Sequence, residues 1–430
     1  MAPKHSSFKK KEKEPFLDDL SLSVVISFID PVEAFKNLRL VSTRFHHLFH
    51  ENLFHWRLLL SPENHTRYLK KPTELLSEGL FRNLKQLTLK NVDLFYINSK
   101  NKLSLFVLIS SEYLPVLEYL DFHALEPRQK IITNPDILLS PKLGFIRVQL
   151  KTSNKTYPPL FTKKTLKNLP SVYTLSIHGA NLVDYSPLFN NLRILQIYAS
   201  ESSLGTGQVS SIEMPHLVEL RLLDECSGES TNIVRALLDK FHSQLETFYY
   251  ELDENLGHFL ELDDIVAYAF PKLRKLGYSS GNRIMGNLIT GNLAYSTPSQ
   301  DWADNDSLSH HNKSCLEHFE LEVFCGFDSN ANAAYSIVSQ CSKLKQVLVR
   351  IHNYSAIHLF GPKAWVTVLK EANCSVDELM ITAFPTFFER HKESSTLNDG
   401  DLEQFEVVYY KDTMNIACPN RSGILIKRKK

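Results

Sequence analysis

The side chains able to do chemistry are scattered, and their spacing suits no known reaction centre. His46, His47, His50 and His55 crowd one stretch, yet they follow no ligand spacing and no cysteine is near. They alternate with an apolar stripe, which predicts solvent-facing helix positions. His310-His311 sits in a polar stretch and adds no third ligand. Six cysteines (Cys226, Cys315, Cys325, Cys341, Cys374 and Cys418) include no C-x-x-C pair. They read as reduced, partly buried thiols rather than a disulfide framework or a zinc knuckle. The paired carboxylates Asp18-Asp19 and Asp263-Asp264 fit helix starts better than an acid–base pair. No phosphate loop, dinucleotide fingerprint, H-E-x-x-H or G-x-S-x-G stands in the chain. The sequon Asn154-Lys155-Thr156 carries weight only on a secretory route. The expectation is a non-catalytic protein with no metal ligands and no cofactor.

Bulk composition narrows the class further. The chain has 430 residues, 43% hydrophobic and 22% charged, the balance of a folded domain or array rather than a disordered chain. Lysine plus arginine equals aspartate plus glutamate at 48 each, so no net field draws it to nucleic acid or an anionic membrane. Positive charge does gather at residues 9–13 and 427–430, as a solvated tail or an import patch. Residues 1–13 are polar and basic, with no secretory pattern. The best apolar run, residues 103–109, falls far short of the roughly 18 residues that span a bilayer. A soluble protein of the cytoplasm, the nucleus or both is expected, with no membrane partner and nucleic acid an improbable one.

The positioning elements are legible as a repeat. The template L-x-x-L-x-L, with aliphatic or aromatic substitutes, starts at Leu84, Leu117, Leu143, Val172, Leu192, Leu217, Leu245, Leu273, Leu316, Leu344, Val376 and Leu402. The average interval is about 29 residues. Positions four and six of such a unit face one way from a short strand, and only stacked copies bury them. Pro115, Pro141, Pro170, Pro215 and Pro271 each stand two residues before a unit, ending what precedes and leading into extended chain. Between units the pattern turns helical, as in residues 231–241, where Ile233, Val234, Leu237, Leu238 and Phe241 form one face behind the expected cap Thr231. Residues 281–314, rich in Gly, Asn, Ser, Asp and His, read as a surface loop inserted into the array. The array resembles the strand-then-helix leucine-rich repeats, without their regular Asn or Cys ladder.

Before the array comes a compact helical pattern. Val25, Ile26 and Ile29 sit at helical spacing, Asp30-Pro31 interrupts, and Phe35, Leu38, Val41, Phe45 and Leu48 form a second apolar stripe. This segment resembles an F-box. Leu17 matches the opening leucine, Ile29-Asp30-Pro31 the break, and Leu38-x-Leu40-Val41-Ser42-x-x-Phe45 the second helix. Leu48 follows one turn later, and Leu53 and Trp56 match the close. Asp18 stands where the family usually has proline. The fold class expected is therefore α/β: a basic tail at residues 1–14, an F-box-like helical module at 15–62, and an irregular leucine-rich-repeat solenoid at 75–426.

The resemblance implies a substrate receptor of an SCF-type ubiquitin ligase. Leu17, Ile29, Pro31, Leu38, Leu40, Val41, Phe45, Leu48 and Trp56 would dock a Skp-family adaptor, and through it cullin and RING subunits. The alternative is a scaffold that uses the adaptor for assembly outside ubiquitination. In either case a protein partner belongs on the open strand face, at positions three, five and seven of each unit. Tyr119, His123, Phe145, Arg147, Tyr198, Arg221 and Tyr249 fall there and are of types common at binding hot spots. Farther along, the same rows carry Glu251, Glu320, Glu322, Glu378 and Glu406 against Lys275 and Arg350, predicting a preference for a basic segment.

Overall fold

The computed structural model describes residues 56–61, 84–91, 105–125, 136–150, 159–199, 204–224, 227–252, 259–280, 315–324, 328–352, 356–371, 376–383, 397, 399–410 and 422–429. The basic tail, the F-box positions Leu17, Ile29, Pro31, Leu38, Leu40, Val41, Phe45 and Leu48, and the stretch 281–314 lie outside the described residues. The chain divides into two compact units: Met1–Lys130 with Asp136–Gly144, and Ile131–Pro135 with Phe145–Lys430.

In the first unit, β1 (Trp56–Leu60), β2 (Leu84–Lys90) and β3 (Tyr119–Leu125) run parallel with β2 in the middle. Here the structure departs from the reading of the sequence, because Trp56 opens a strand instead of closing a helical module. Leu58 lies beside Leu87 and Leu60 beside Leu89, all buried, while Leu59 faces outward. A run as short as residues 57–60 satisfies either period, and a neighbouring strand with unbonded backbone decides for the extended one.

The second unit holds β4 (Phe145–Leu150), β5 (Thr174–His178), β6 (Ile194–Ala199), β7 (Glu219–Asp224), β8 (Thr247–Leu252), β9 (Lys275–Ser280), β10 (His318–Val323), β11 (Gln346–Ile351) and β12 (Glu378–Ala383). Each pairs in parallel with the next. Parallel neighbours need a crossover, and the connectors supply it. They include a 3-10 helix (Leu182–Asn191), α1 (Gly228–Phe241), α2 (Asp328–Gln340) and α3 (Pro362–Glu371). In α1 the cap is Ser227, whose hydroxyl accepts from the Ser230 N–H at 3.0 Å. Thr231, the expected cap, sits one turn inside with its hydroxyl bonded to the Ser227 carbonyl. Either residue type can cap; Ser227 wins because Ser230 reaches back to its N–H at 2.9 Å.

The repeat rule holds in both units. In every hexamer from Leu84 to Val376 the first, fourth and sixth residues are buried, none above 4% exposed. A second series ties the repeats together at position two. The N–H of Val218 bonds to the carbonyl of Arg193, that of Glu246 to Val218, Arg274 to Glu246, Glu317 to Arg274, and Lys345 to Glu317, all at 2.8–2.9 Å. The link from Glu317 to Arg274 spans the 281–314 interval, and β9 and β10 stay in register over six residues.

The twelfth hexamer breaks the series. The first half of the hexamer, Leu402 to Gln404, falls in the helix Asp399–Gln404, and its second half opens β13 (Phe405–Tyr410), which pairs antiparallel with β14 (Ser422–Arg428). The strand order is β12–β14–β13, so β14 and not the hexamer continues the core. Ile426 and Ile424 are buried opposite Leu379 and Ile381. Alternation fixes which side chains face inward; it carries no information on strand direction.

Candidate partner-binding face

Because positions four and six of each strand serve the core, positions three, five and seven stand together on the opposite face. In the second unit this brings Phe145, Arg147, Tyr198, Arg221 and Tyr249 to one side of the sheet, as the alternation predicts. Tyr119 and His123 hold the equivalent positions on β3 of the first unit, each partly exposed.

The side chains are not equally available. The Arg147 guanidinium lies 5.7 Å from the centre of the Phe145 ring. Tyr198 stacks on His178 at 4.1 Å and 9°, and at 8% exposure it belongs to the sheet rather than to a hot spot. Arg221 is exposed and held twice: its Nε donates to Glu219 Oε1 at 2.6 Å, and its guanidinium sits 4.7 Å from the Tyr249 ring centre. On the far side, Tyr249 lies over Gly277 of β9, where a β-carbon would come within 2.1 Å of its ring. Arg221, Tyr249 and Gly277 occupy the same register position on β7, β8 and β9. Burial and the Glu320 and Glu219 carboxylates push the Tyr249 hydroxyl above its ordinary pKa, against the pull of Arg221 and Arg350. The phenol therefore stays neutral and able to donate a hydrogen bond.

Gly277 is not among the residue types that mark a hot spot. Its signal was present: a glycine inside the otherwise apolar-patterned hexamer LRKLGY marks a close approach by another group. The acidic surplus expected for the later strands is smaller than a count of the rows suggests. Glu320 binds Arg350, Glu322 Oε1 lies 2.5 Å from His352 Nε2, and Glu378 Oε1 lies 2.7 Å from Lys427 Nζ. His352 lies just past the end of β11 and Lys427 on β14, outside positions three, five and seven of the units. His352 also stacks on Phe324 at 3.9 Å.

Beneath this face a polar side chain holds a core position of β7. Asp224 ends β7 fully buried, where Ala199, Leu252 and Ile351 are the counterparts on other strands. Its carboxyl accepts from Ser230 Oγ and from the Tyr250 hydroxyl, both at 2.5 Å. Tyr250 in turn accepts from the Leu260 N–H at 3.1 Å, and the Tyr278 hydroxyl donates to the Leu260 carbonyl at 3.3 Å. The cluster is buried and ties α1 and the chain at Leu260 to β7, β8 and β9.

Among the described residues no group of three His, Cys, Asp or Glu side chains is placed to hold a metal ion. Among the same residues no helix is long and apolar enough to cross a membrane. No protein-family model matches the chain, and a search of curated proteins returns no match.

Proposed function

We propose that this chain is an F-box protein with leucine-rich repeats: the substrate-recognition subunit of an SCF-type ubiquitin ligase. The segment Leu38-x-Leu40-Val41-Ser42-x-x-Phe45 behind Ile29-Asp30-Pro31 carries the adaptor half of the reading. The clamped Tyr249 ring on the open sheet face carries the partner half. An aromatic side chain fixed in place before binding loses little entropy on contact, which is how hot spots earn their affinity. A receptor of this type makes no bond itself. It raises the local concentration of a substrate lysine near a ubiquitin thioester held elsewhere in the complex.

The test is purification of the tagged chain from cells. Recovery of a Skp-family adaptor together with cullin and RING subunits is expected; adaptor without cullin would favour the scaffold reading. Burying one leucine is worth roughly 1.5–3 kcal/mol, so Leu40→Ala with Pro31→Ala should weaken adaptor capture about tenfold or more. Undiminished adaptor capture after removal of residues 17–50 would sink the F-box assignment.

A further inference from the structure

The sheet of the second unit ends on β13, and β13 has one side without a neighbour among the described residues. Its hydrogen-bond phase is readable. The Lys429 N–H donates to the Gln404 carbonyl at 3.0 Å, so those two residues form a mutually bonded antiparallel pair. Alternation from that pair turns the backbone of Glu406, Val408 and Tyr410 toward β14. It turns the N–H and C=O groups of Phe405, Val407 and Tyr409 outward. The same three residues share the core side, because Val407 and Tyr409 lie opposite the buried Ile426 and Ile424. Phe405 is buried, yet Tyr409 is 60% exposed, whereas the inward residues of every parallel repeat are covered. The terminal strand thus presents both unpaired backbone and an uncovered aromatic ring on its core side.

We propose that a second copy of this chain pairs antiparallel along β13, about a two-fold axis through Val407. Of the possible self-pairings, this register alone engages all three outward residues in both copies. It sets Phe405 of one copy against Tyr409 of the other, an aromatic pair on the core side, and the two Val407 side chains against each other. Glu406, the one charged residue of the strand, falls opposite Val408, so no like charges meet. The strand FEVVYY is rich in β-formers, with no proline or glycine to blunt it as an edge. Two-fold pairing consumes both copies of the edge and closes, which gives a dimer rather than a fibre. The inference stands apart from the ligase reading and does not depend on it.

Light scattering on the purified full-length chain tests it. The wild type should elute at twice 49.4 kDa. Val407→Pro removes an outward N–H without touching the β14 ladder, so it should give the monomer mass with unchanged circular dichroism. Tyr409→Lys should do the same, and serves if the proline variant fails to fold. A wild type that stays at 49.4 kDa up to its solubility limit overturns the proposal. So does a dimer that all edge variants leave intact, and so does a monomer whose edge variants instead lose a different copurifying chain.

Discussion

The ring of Tyr249 occupies the space that a side chain at Gly277 would need: a β-carbon there would lie 2.1 Å from Cδ1 and 2.6 Å from Cε1. With Arg221 on its other side, the ring is held between a cation and bare backbone. Gly277→Ala must therefore push the ring off β9. Tyr249 is half-buried on the open face and not part of the core, so displacing it should leave the fold intact within about 1 kcal/mol, as alanine also loses less chain entropy than glycine on folding. Capture of a partner bound to this face should fall about tenfold or more, as for loss of a hot-spot aromatic. Thermal melts and partner capture, compared with Tyr249→Ala, check both halves. A variant that melts normally and captures normally would show that the clamp has no part in binding.

How much of this was legible in the sequence depends on which physical rule wrote it. The buried positions were, down to Leu348 and Arg350 facing away from Val347 and Val349, because alternation with a hydrophobic core is a strict constraint. Strand direction was not: the hexamer at Leu402 alternates as well as any other, yet it lies in the antiparallel hairpin that closes the sheet. The strand at Trp56–Leu60 is ambiguous in the sequence for a related reason, a short apolar run that fits two periods. At the candidate site, single residues were found and their relations were not. Tyr249 and Arg221 were identified by type, but their stacking and the glycine under the ring depend on register between strands 28 residues apart in sequence. The pairing of Glu322 with His352 and of Glu378 with Lys427 likewise crosses strands.

Two buried tyrosines should respond oppositely to the same change. Tyr250 donates to Asp224 at 2.5 Å and accepts from Leu260, so Tyr250→Phe leaves a buried carboxyl and a buried N–H each short of a partner. The cost should be about 1–3 kcal/mol. Tyr185, within the 3-10 helix, is just as deeply buried, but its hydroxyl has no hydrogen-bond partner among the described residues. Tyr185→Phe removes an unsatisfied group at nearly constant volume and should be neutral or stabilising. Chemical denaturation midpoints of the two variants decide the matter, and equal losses would contradict the assigned network.

Alkaline pH should weaken the fold through the same residues. Burial first, with Asp224 beside it, pushes the Tyr250 hydroxyl up from 10.0. Burial first, with Asp184 beside it, does so for Tyr185. Burial and the bond to Asp239 push Tyr268 up to about 12. A pKa raised above its unfolded value means that the folded state holds the proton more tightly. The stabilisation is therefore complete below pH 10 and is lost as pH rises through the folded values. Unfolding midpoints measured from about pH 8 to about pH 12 should stay level and then fall beyond 10. Tyr250→Phe should show a shallower fall. A midpoint independent of pH above 10 would contradict the burial of these hydroxyls.

The parity of β7 offers the sharpest test of the architecture, since Leu220 and Leu223 belong to one strand and opposite faces. Leu220 is fully buried between Leu195 and Phe248 of the adjoining strands, while Leu223 is partly exposed on the open face. Leu220→Asp would bury a carboxylate with no partner in an apolar layer, at a cost of several kcal/mol. Because each repeat is stabilised chiefly by its neighbours, the damage should spread and lower the cooperativity of the whole second unit. Leu223→Asp places the same charge in solvent beside Glu251 and should shift stability by less than about 1 kcal/mol. Urea denaturation followed by circular dichroism distinguishes the two. If both variants unfold alike, or Leu223→Asp proves the worse, the assigned register of β7 is wrong.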